Sequence, residues 1–211
     1  MVMCHQKLAA RTHERAFVSN LRIGIIVGST RPGRLGIQVG NWVKENARAN
    51  GVEFELVDLI DYALPMLDEP YPASRGMYQN DHTRKWAAKI DEFDGYIFVT
   101  AEYNHSIPGA LKNALDYLSA EWHNKAAGIV SYGSMGGVRA NEHLRQILAE
   151  LEIADVRQNV MLSLFTDFEN FSTLAPAGVH LAELQKQVDQ IAAWAGALRP
   201  LRVEDDEAVA A

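Results

Sequence analysis

The sequence contains a single cysteine, Cys4, so it can form no internal disulfide. A reducing compartment, the cytoplasm, is therefore the expected location. It also lacks any apolar run near the roughly 20 residues that cross a bilayer, so no membrane partner is expected. Basic excess is missing too: the formal net charge is −7. That balance argues against nucleic acid or an anionic surface as the main partner. Residues 1–20 carry Lys7, Arg11 and Arg15 but not the continuous apolar stretch of a secretory signal. They read as a poorly ordered N-terminal extension. None of the histidines, His5, His13, His82, His105, His123, His143 and His180, stands three or four residues from another. With no H-E-x-x-H pattern, no metal site is expected.

What is present is an ordinary globular composition in 211 residues, 48% hydrophobic and 22% charged. That length fits one domain with a substantial core. Apolar, β-branched runs recur at 21–27, 52–59, 95–100, 126–132 and 160–165. Three of them, "LRIGIIV", "GYIFVT" and "AAGIVSY", are nearly continuous, as strands covered on both faces are. The run at 52–59 alternates, which suits an edge. Helical stretches lie between. Leu144, Ile147, Leu148 and Leu151 form one face, as do Leu111, Leu115 and Leu118 after Pro108, and Leu181, Leu184, Val188 and Ile191 near the end. Strands alternating with helices give a doubly wound five-stranded parallel sheet with helices on both faces. The core is expected over 21–198, followed by an acidic tail at 199–211.

In strand order 2-1-3-4-5, ligands bind beyond the carboxyl ends of the strands, where the order reverses. Three unusual loops fall there. "GSTRPGRLG" (28–36) nearly spells a triphosphate loop, but Arg34 and Leu35 stand where Lys and Ser or Thr are required. It remains an anion cradle of backbone N–H groups, hydroxyls and guanidiniums. In "TAEYNHSIPGALKNALDYL" (100–118), Ser106 is placed to cap the next helix, with Tyr103, Asn104 and His105 projecting from the turn. An aromatic and an amide there suit a flat heteroaromatic ring, although ordinary turn chemistry accounts for them equally. "SYGSMGGVRANEHL" (131–144) gathers Gly133, Gly136 and Gly137 around Ser134, but does not form the G-x-S-x-G elbow of a hydrolase.

Taken in order, "GSTRPGR", "EYNHSIPGALKNALDYL" and "YGSMGG" resemble the NADPH-dependent FMN reductase family of the flavodoxin-like fold, from about Leu21 to about Leu198. The resemblance implies FMN as cofactor and NADPH, or NADH, as hydride donor. It matches Ser29 and Arg31 to the FMN phosphate, with Arg34, Leu35 and Gly36 completing the cradle. Glu102, Tyr103, Asn104 and Ser106 match the segment beside the isoalloxazine and ribityl chain. Gly133, Ser134, Gly136 and Gly137 match the loop at the other ring edge. Ala101 departs from the family's usual proline. His105 is a candidate contact to substrate. The resemblance also implies a homodimer built partly by residues 61–78, which can pair further into a tetramer, with Trp122 a candidate for either that interface or the core.

Chemistry at the flavin N5 needs neither a catalytic protein residue nor a metal. The expected activity passes hydride from NADPH through FMN to a quinone-like or other small acceptor. A flavodoxin-like electron carrier and a non-catalytic flavin redox sensor are the alternatives.

Overall fold

The computed structural model describes residues 20–209. The N-terminal extension expected over 1–20 lies, but for Asn20, outside the described residues, as does Cys4. Strands β1 (Leu21–Val27), β2 (Val52–Asp58), β3 (Gly95–Ala101) and β4 (Lys125–Gly133) form the sheet together with β5 (Ile153–Asp155) and β6 (Val160–Ser163). The order is β2-β1-β3-β4-β5, with β6 also paired to β4, and every pairing in this sheet is parallel. Helices α1 (Gly36–Asn46), α2 (Asp81–Asp91), α3 (Gly109–Asp116), α4 (Val138–Glu150) and α5 (Val179–Val209) pack on its two faces. β3 and β4 are buried along their whole lengths, whereas β2, at the edge, is mostly half-buried, with Glu53 exposed and Val57 covered. The continuous and alternating hydrophobic patterns thus follow the two kinds of strand environment.

The fifth strand position is shared. The run expected at 160–165 is strand only to Ser163, and β5 pairs with the start of β4. Between the two segments the chain leaves the ladder, and the buried Gln187 of α5 fills the gap. Its Nε2 donates to Ile129 O at 2.9 Å and to Gln158 O at 2.8 Å. Beyond β6 a short antiparallel hairpin forms from β7 (Phe168–Glu169) and β8 (Thr173–Leu174). Strands of two residues have too little sequence to show a period.

Two core clusters flank the sheet. On one face Trp86, Tyr96, Phe98 and Trp122 pack as an aromatic group, with Trp122 fully buried and its ring 5.1 Å from that of Tyr96. Its indole N–H donates to Leu115 O at 3.2 Å. Trp122 is therefore a core residue, and the interface reading for it is corrected. On the other face α1 and α5 cover β1, with Leu184, Val188, Ile191 and Ala195 as the buried stripe of α5. Leu181, expected on that stripe, is 47% exposed because it lies in the first turn, short of the sheet.

The end drawn for the core at Leu198 falls inside α5, which continues to Val209. Arg199 and Arg202 of this segment pair with Asp94, and Arg202 Nη1 donates to Asn124 O at 2.9 Å. Among the described residues, no helix is long and apolar enough to cross a membrane.

Candidate functional site

The carboxyl ends of β1, β3 and β4 bring the three unusual loops together, and each owes its shape to specific residues. In the first loop Ser29 is buried, with Oγ 2.9 Å from Tyr103 Oη of the second loop. The Arg31 guanidinium lies 5.9 Å from the centre of the Tyr103 ring and is exposed. No carboxylate among the described residues pairs with it. Arg34 differs: it forms an ion pair with Asp58 at the end of β2, both side chains being largely buried. Its Nε remains buried without a hydrogen-bond partner.

Leu35 occupies the N-cap of α1 and supplies no side-chain cap, and the first turn contains no acidic residue. The Gln38 N–H turns back to Leu35 O at 3.0 Å, which leaves the Ile37 N–H, with that of Gly36 beside it, open to an anion. Gly36 begins that helix, and a Cβ there would stand 2.8 Å from Tyr132 Oη. The Tyr132 hydroxyl is also buried; the Gly36 N–H approaches its oxygen, but among the described residues its own proton meets no acceptor. Burial, together with the neighbouring Tyr103, pushes its pKa well above the usual phenol range. It stays a neutral O–H with a proton to give. Native structures rarely leave buried polar groups unmatched. Two such atoms, Arg34 Nε and Tyr132 Oη, flank the start of α1.

The second loop is a tight turn. Asn104 and His105 have φ of 50° and 68°, and Tyr103 and Ser106 exchange backbone hydrogen bonds of 2.9 and 3.1 Å. Asparagine tolerates this left-handed region better than most residues. Ser106 does not cap α3, whose N-cap is Pro108. Its backbone is held by Tyr103 and its Oγ meets His143 Nδ1 at 3.1 Å. Ala101, where the resemblance expected proline, is buried and pairs in register with Tyr132.

The third loop turns through Gly136 and Gly137, with φ of 69° and 71°. Ser131 Oγ donates to Gly136 O at 2.7 Å, and Leu164 N–H donates to Gly133 O at 2.9 Å. Ser134 and Met135 face solvent.

The second and third loops are tied by Glu102. Its carboxylate accepts from Arg139 N–H at 3.1 Å and from Arg139 Nε at 2.6 Å. Burial alone would raise the Glu102 pKa, but the hydrogen bonds and charge of Arg139, with the backbone of α4, hold it below the usual carboxylate range. The expected site residues thus gather at one sheet edge, while Arg34 and Glu102 direct their charges to Asp58 and Arg139. Sequence reading passed over Asp58, Tyr132, Arg139 and His143. Tyr132 was hidden inside a strand run, and the others are charged or polar residues with no local signature.

An open parallel sheet with three glycine- and hydroxyl-rich loops at its switch point defines a flavodoxin-like, anion-binding α/β protein. The model of the family "NADPH-dependent FMN reductase" matches residues 21–167, and the chain belongs to that family: it is an oxidoreductase that uses FMN with NAD(P)H as donor. An NAD(P)H-dependent FMN reductase from Nectria sp is 35% identical over 83% of this chain and 88% of its own length. One from Schizosaccharomyces pombe is 38% identical, over 78% and 86%. A quinone reductase from Escherichia coli K12 is 33% identical over 63% of this chain and 71% of its own. Among solved structures, the flavoenzyme NAD(P)H:(acceptor) oxidoreductase FerB from Paracoccus denitrificans superposes with a TM-score of 0.63. That match has 21% identity and covers 83% of this chain and 97% of FerB, a likeness of fold.

Proposed function

We propose that the chain holds FMN across the three loops and passes electrons from NAD(P)H to a quinone-like acceptor. The pair of orphaned buried donors beside the start of α1, Arg34 Nε and Tyr132 Oη, carries this reading. A phosphate or a ribityl hydroxyl supplies the acceptors they lack. Bound FMN supplies hydride acceptance and release at its own N5. The rest of the work is binding and orientation by the chain. Ser29, Arg31, Arg34, Leu35 and Gly36 take the phosphate, with the N–H groups of α1 directed at it. Tyr103, Asn104 and Ser106 line one side of the ring, and Gly133, Ser134, Gly136 and Gly137 line the other. Glu102 contributes through Arg139, and His105 stands at the rim toward substrate. The quinone-like acceptor is supported by the printed functions of the relatives.

The core domain reads as beginning at residue 21 and, with Arg199 and Arg202 tied to Asp94, as including the part of α5 just beyond Leu198. Ile60, Met66, Leu67, Tyr71 and Met77 expose an apolar cluster in the connection after β2, Met66 by 81%. So large a run of exposed apolar side chains supports a homodimer at this face, and a monomer by light scattering would count against it. A cytoplasmic location fits the single cysteine.

One anaerobic titration decides the activity. FMN-loaded protein is expected to lose its flavin absorbance within seconds of NADPH addition. Reduction by dithionite alone would leave an electron carrier or a sensor. Arg31→Ala is expected to weaken FMN binding by about 1.5–3 kcal/mol, the range for a hydrogen bond to a charged group. Fluorescence titration of the flavin reads this directly, and unchanged affinity would remove Arg31 from the site.

Tyr132→Phe separates stability from binding. Losing an unsatisfied buried hydroxyl should stabilise the cofactor-free protein by about 1 kcal/mol. FMN should then bind more weakly by about 0.5–1.5 kcal/mol, one net hydrogen bond. Thermal melts with and without FMN would show the two effects with opposite signs. A loss of stability in both would mean that the hydroxyl has a structural partner.

A further inference from the structure

Arg139 sits in the first turn of α4, immediately after the Gly133–Gly137 loop, yet most of its contacts are with the other loop. Its backbone N–H and Nε reach Glu102, whose side chain is 7% exposed. Its Nη1 lies 3.1 Å from His105 Nε2. One turn further along, His143 Nδ1 lies 3.1 Å from Ser106 Oγ. The start of α4 is thus fastened to Glu102, His105 and Ser106, while Gly137 fastens the same helix to the third loop. No other charged side chain among the described residues pairs with the Glu102 carboxylate. Without the guanidinium, only backbone N–H groups at the start of α4 would be left to offset a nearly buried negative charge at the edge of the cleft.

We propose that Arg139 is a positioning residue that sets the separation of the second and third loops and neutralises Glu102 at the edge of the flavin cleft. The proposal rests on the flavin reading for its second half only. Its first half concerns the protein alone. Holding both walls at a fixed spacing before the ring arrives lowers the ordering cost of binding. Neutralising Glu102 keeps the cleft hospitable to a ring that gains negative charge on reduction.

The test uses the full chain and three variants, Arg139→Met, Arg139→Lys and the double variant Glu102→Gln with Arg139→Met. In cofactor-free protein, hydrogen exchange at the Tyr103 and Ser106 amides, which bridge the turn, should be at least tenfold faster in Arg139→Met. Exchange at Phe98, inside β3, should not change. FMN affinity should fall at least tenfold, and the potential of the flavin that binds should move to a more negative value. The double variant should return the potential toward that of the wild type without restoring the slow exchange. Arg139→Lys, which keeps the charge and loses the fork, should recover potential more than affinity. It also serves as the readable variant if Arg139→Met does not fold.

Unchanged exchange and affinity in Arg139→Met would overturn the positioning role. A potential that the double variant fails to restore would overturn the charge role. If the wild type binds no FMN while exchange still accelerates, the flavin reading falls and the loop-positioning role stands.

Discussion

Replacing Gly137 by alanine is expected to destabilise the protein by roughly 2–5 kcal/mol and to abolish measurable FMN binding. Two costs add. Gly137 has φ of +71°, where an L side chain costs about 1–2 kcal/mol. Its new Cβ would also stand 2.8 Å from Ser131 Cβ, 2.9 Å from Tyr132 N and 3.1 Å from Tyr132 O. Two of those atoms are the backbone of β4 and cannot swing aside, so the loop or the start of α4 must shift, an overpacking cost of about 1–3 kcal/mol. The same shift would carry Arg139 away from Glu102. Gly133 provides the control. A Cβ there meets nothing closer than 3.4 Å, so Gly133→Ala should cost much less. Urea titrations of both variants, with FMN fluorescence, check the contrast. Equal stability for the two would mean that the turn at Gly137 is looser than its contacts imply.

The second large effect concerns Lys125, at the opposite end of the sheet. Its side chain is 1% exposed, and Nζ donates to Ile90 O at 3.0 Å. The carboxylate paired with it, Asp91 at 3.9 Å, is itself 75% exposed and so strongly solvated, and Asp94 and Glu121 act from further off. The Tyr96 ring centre lies 5.7 Å away. Burial outweighs these favourable neighbours and lowers the Lys125 pKa to about 8.

The unfolded chain holds this proton until about pH 10.5, the unperturbed lysine value. Between about pH 8 and that value the unfolded state binds more protons than the folded one, so stability rises with pH across the window. Below pH 8 both states are protonated, and the folded state carries the full penalty of the buried ammonium, roughly 3 kcal/mol at 1.36 kcal/mol per pKa unit. Lys125→Met should remove that penalty. Ile90 O keeps a donor in the variant, because Tyr96 Oη also reaches it at 2.9 Å. The variant should therefore be more stable at pH 7 by up to about 3 kcal/mol, with the difference fading toward pH 10.5. Denaturant midpoints at pH 7, 8, 9 and 10 provide the test. A constant difference across that range would show that the ammonium is adequately compensated where it lies.

Particular elements show which parts of this protein could be read locally. Continuous apolar runs marked β1, β3 and β4 because a strand covered on both faces has no polar side to reveal. The alternation at 52–58 marked an edge for the complementary reason. Glycines beside hydroxyls and arginines, placed after buried strands, marked the three loops, because left-handed turns and anion-binding amides demand those residue types wherever they occur. Order and spacing then carried the family.

Other features depend on residues far apart in the chain. Gln187 completing the gap beside β4, Arg34 turned toward Asp58, and Glu102 turned toward Arg139 all join groups 24 or more residues apart. A charged residue looks the same in sequence whether it meets water, a phosphate or a carboxylate, and only the packed structure chooses. By sequence Ser106 is placed as a helix cap, because serine before a helix commonly is one. The bridge to Tyr103 and the approach of His143 redirected it. Trp122 could serve core or surface until the sheet placed Tyr96 and Phe98 against it. The sequence by itself thus determined the four long strands, the helical faces and an anion-binding loop, since these follow from periodicity and backbone chemistry, while the flavin followed from the resemblance of the three loops to a family. The tertiary structure alone decided which charges remain free for the cofactor and which hold the loops, because that depends on distances between residues the chain does not place side by side.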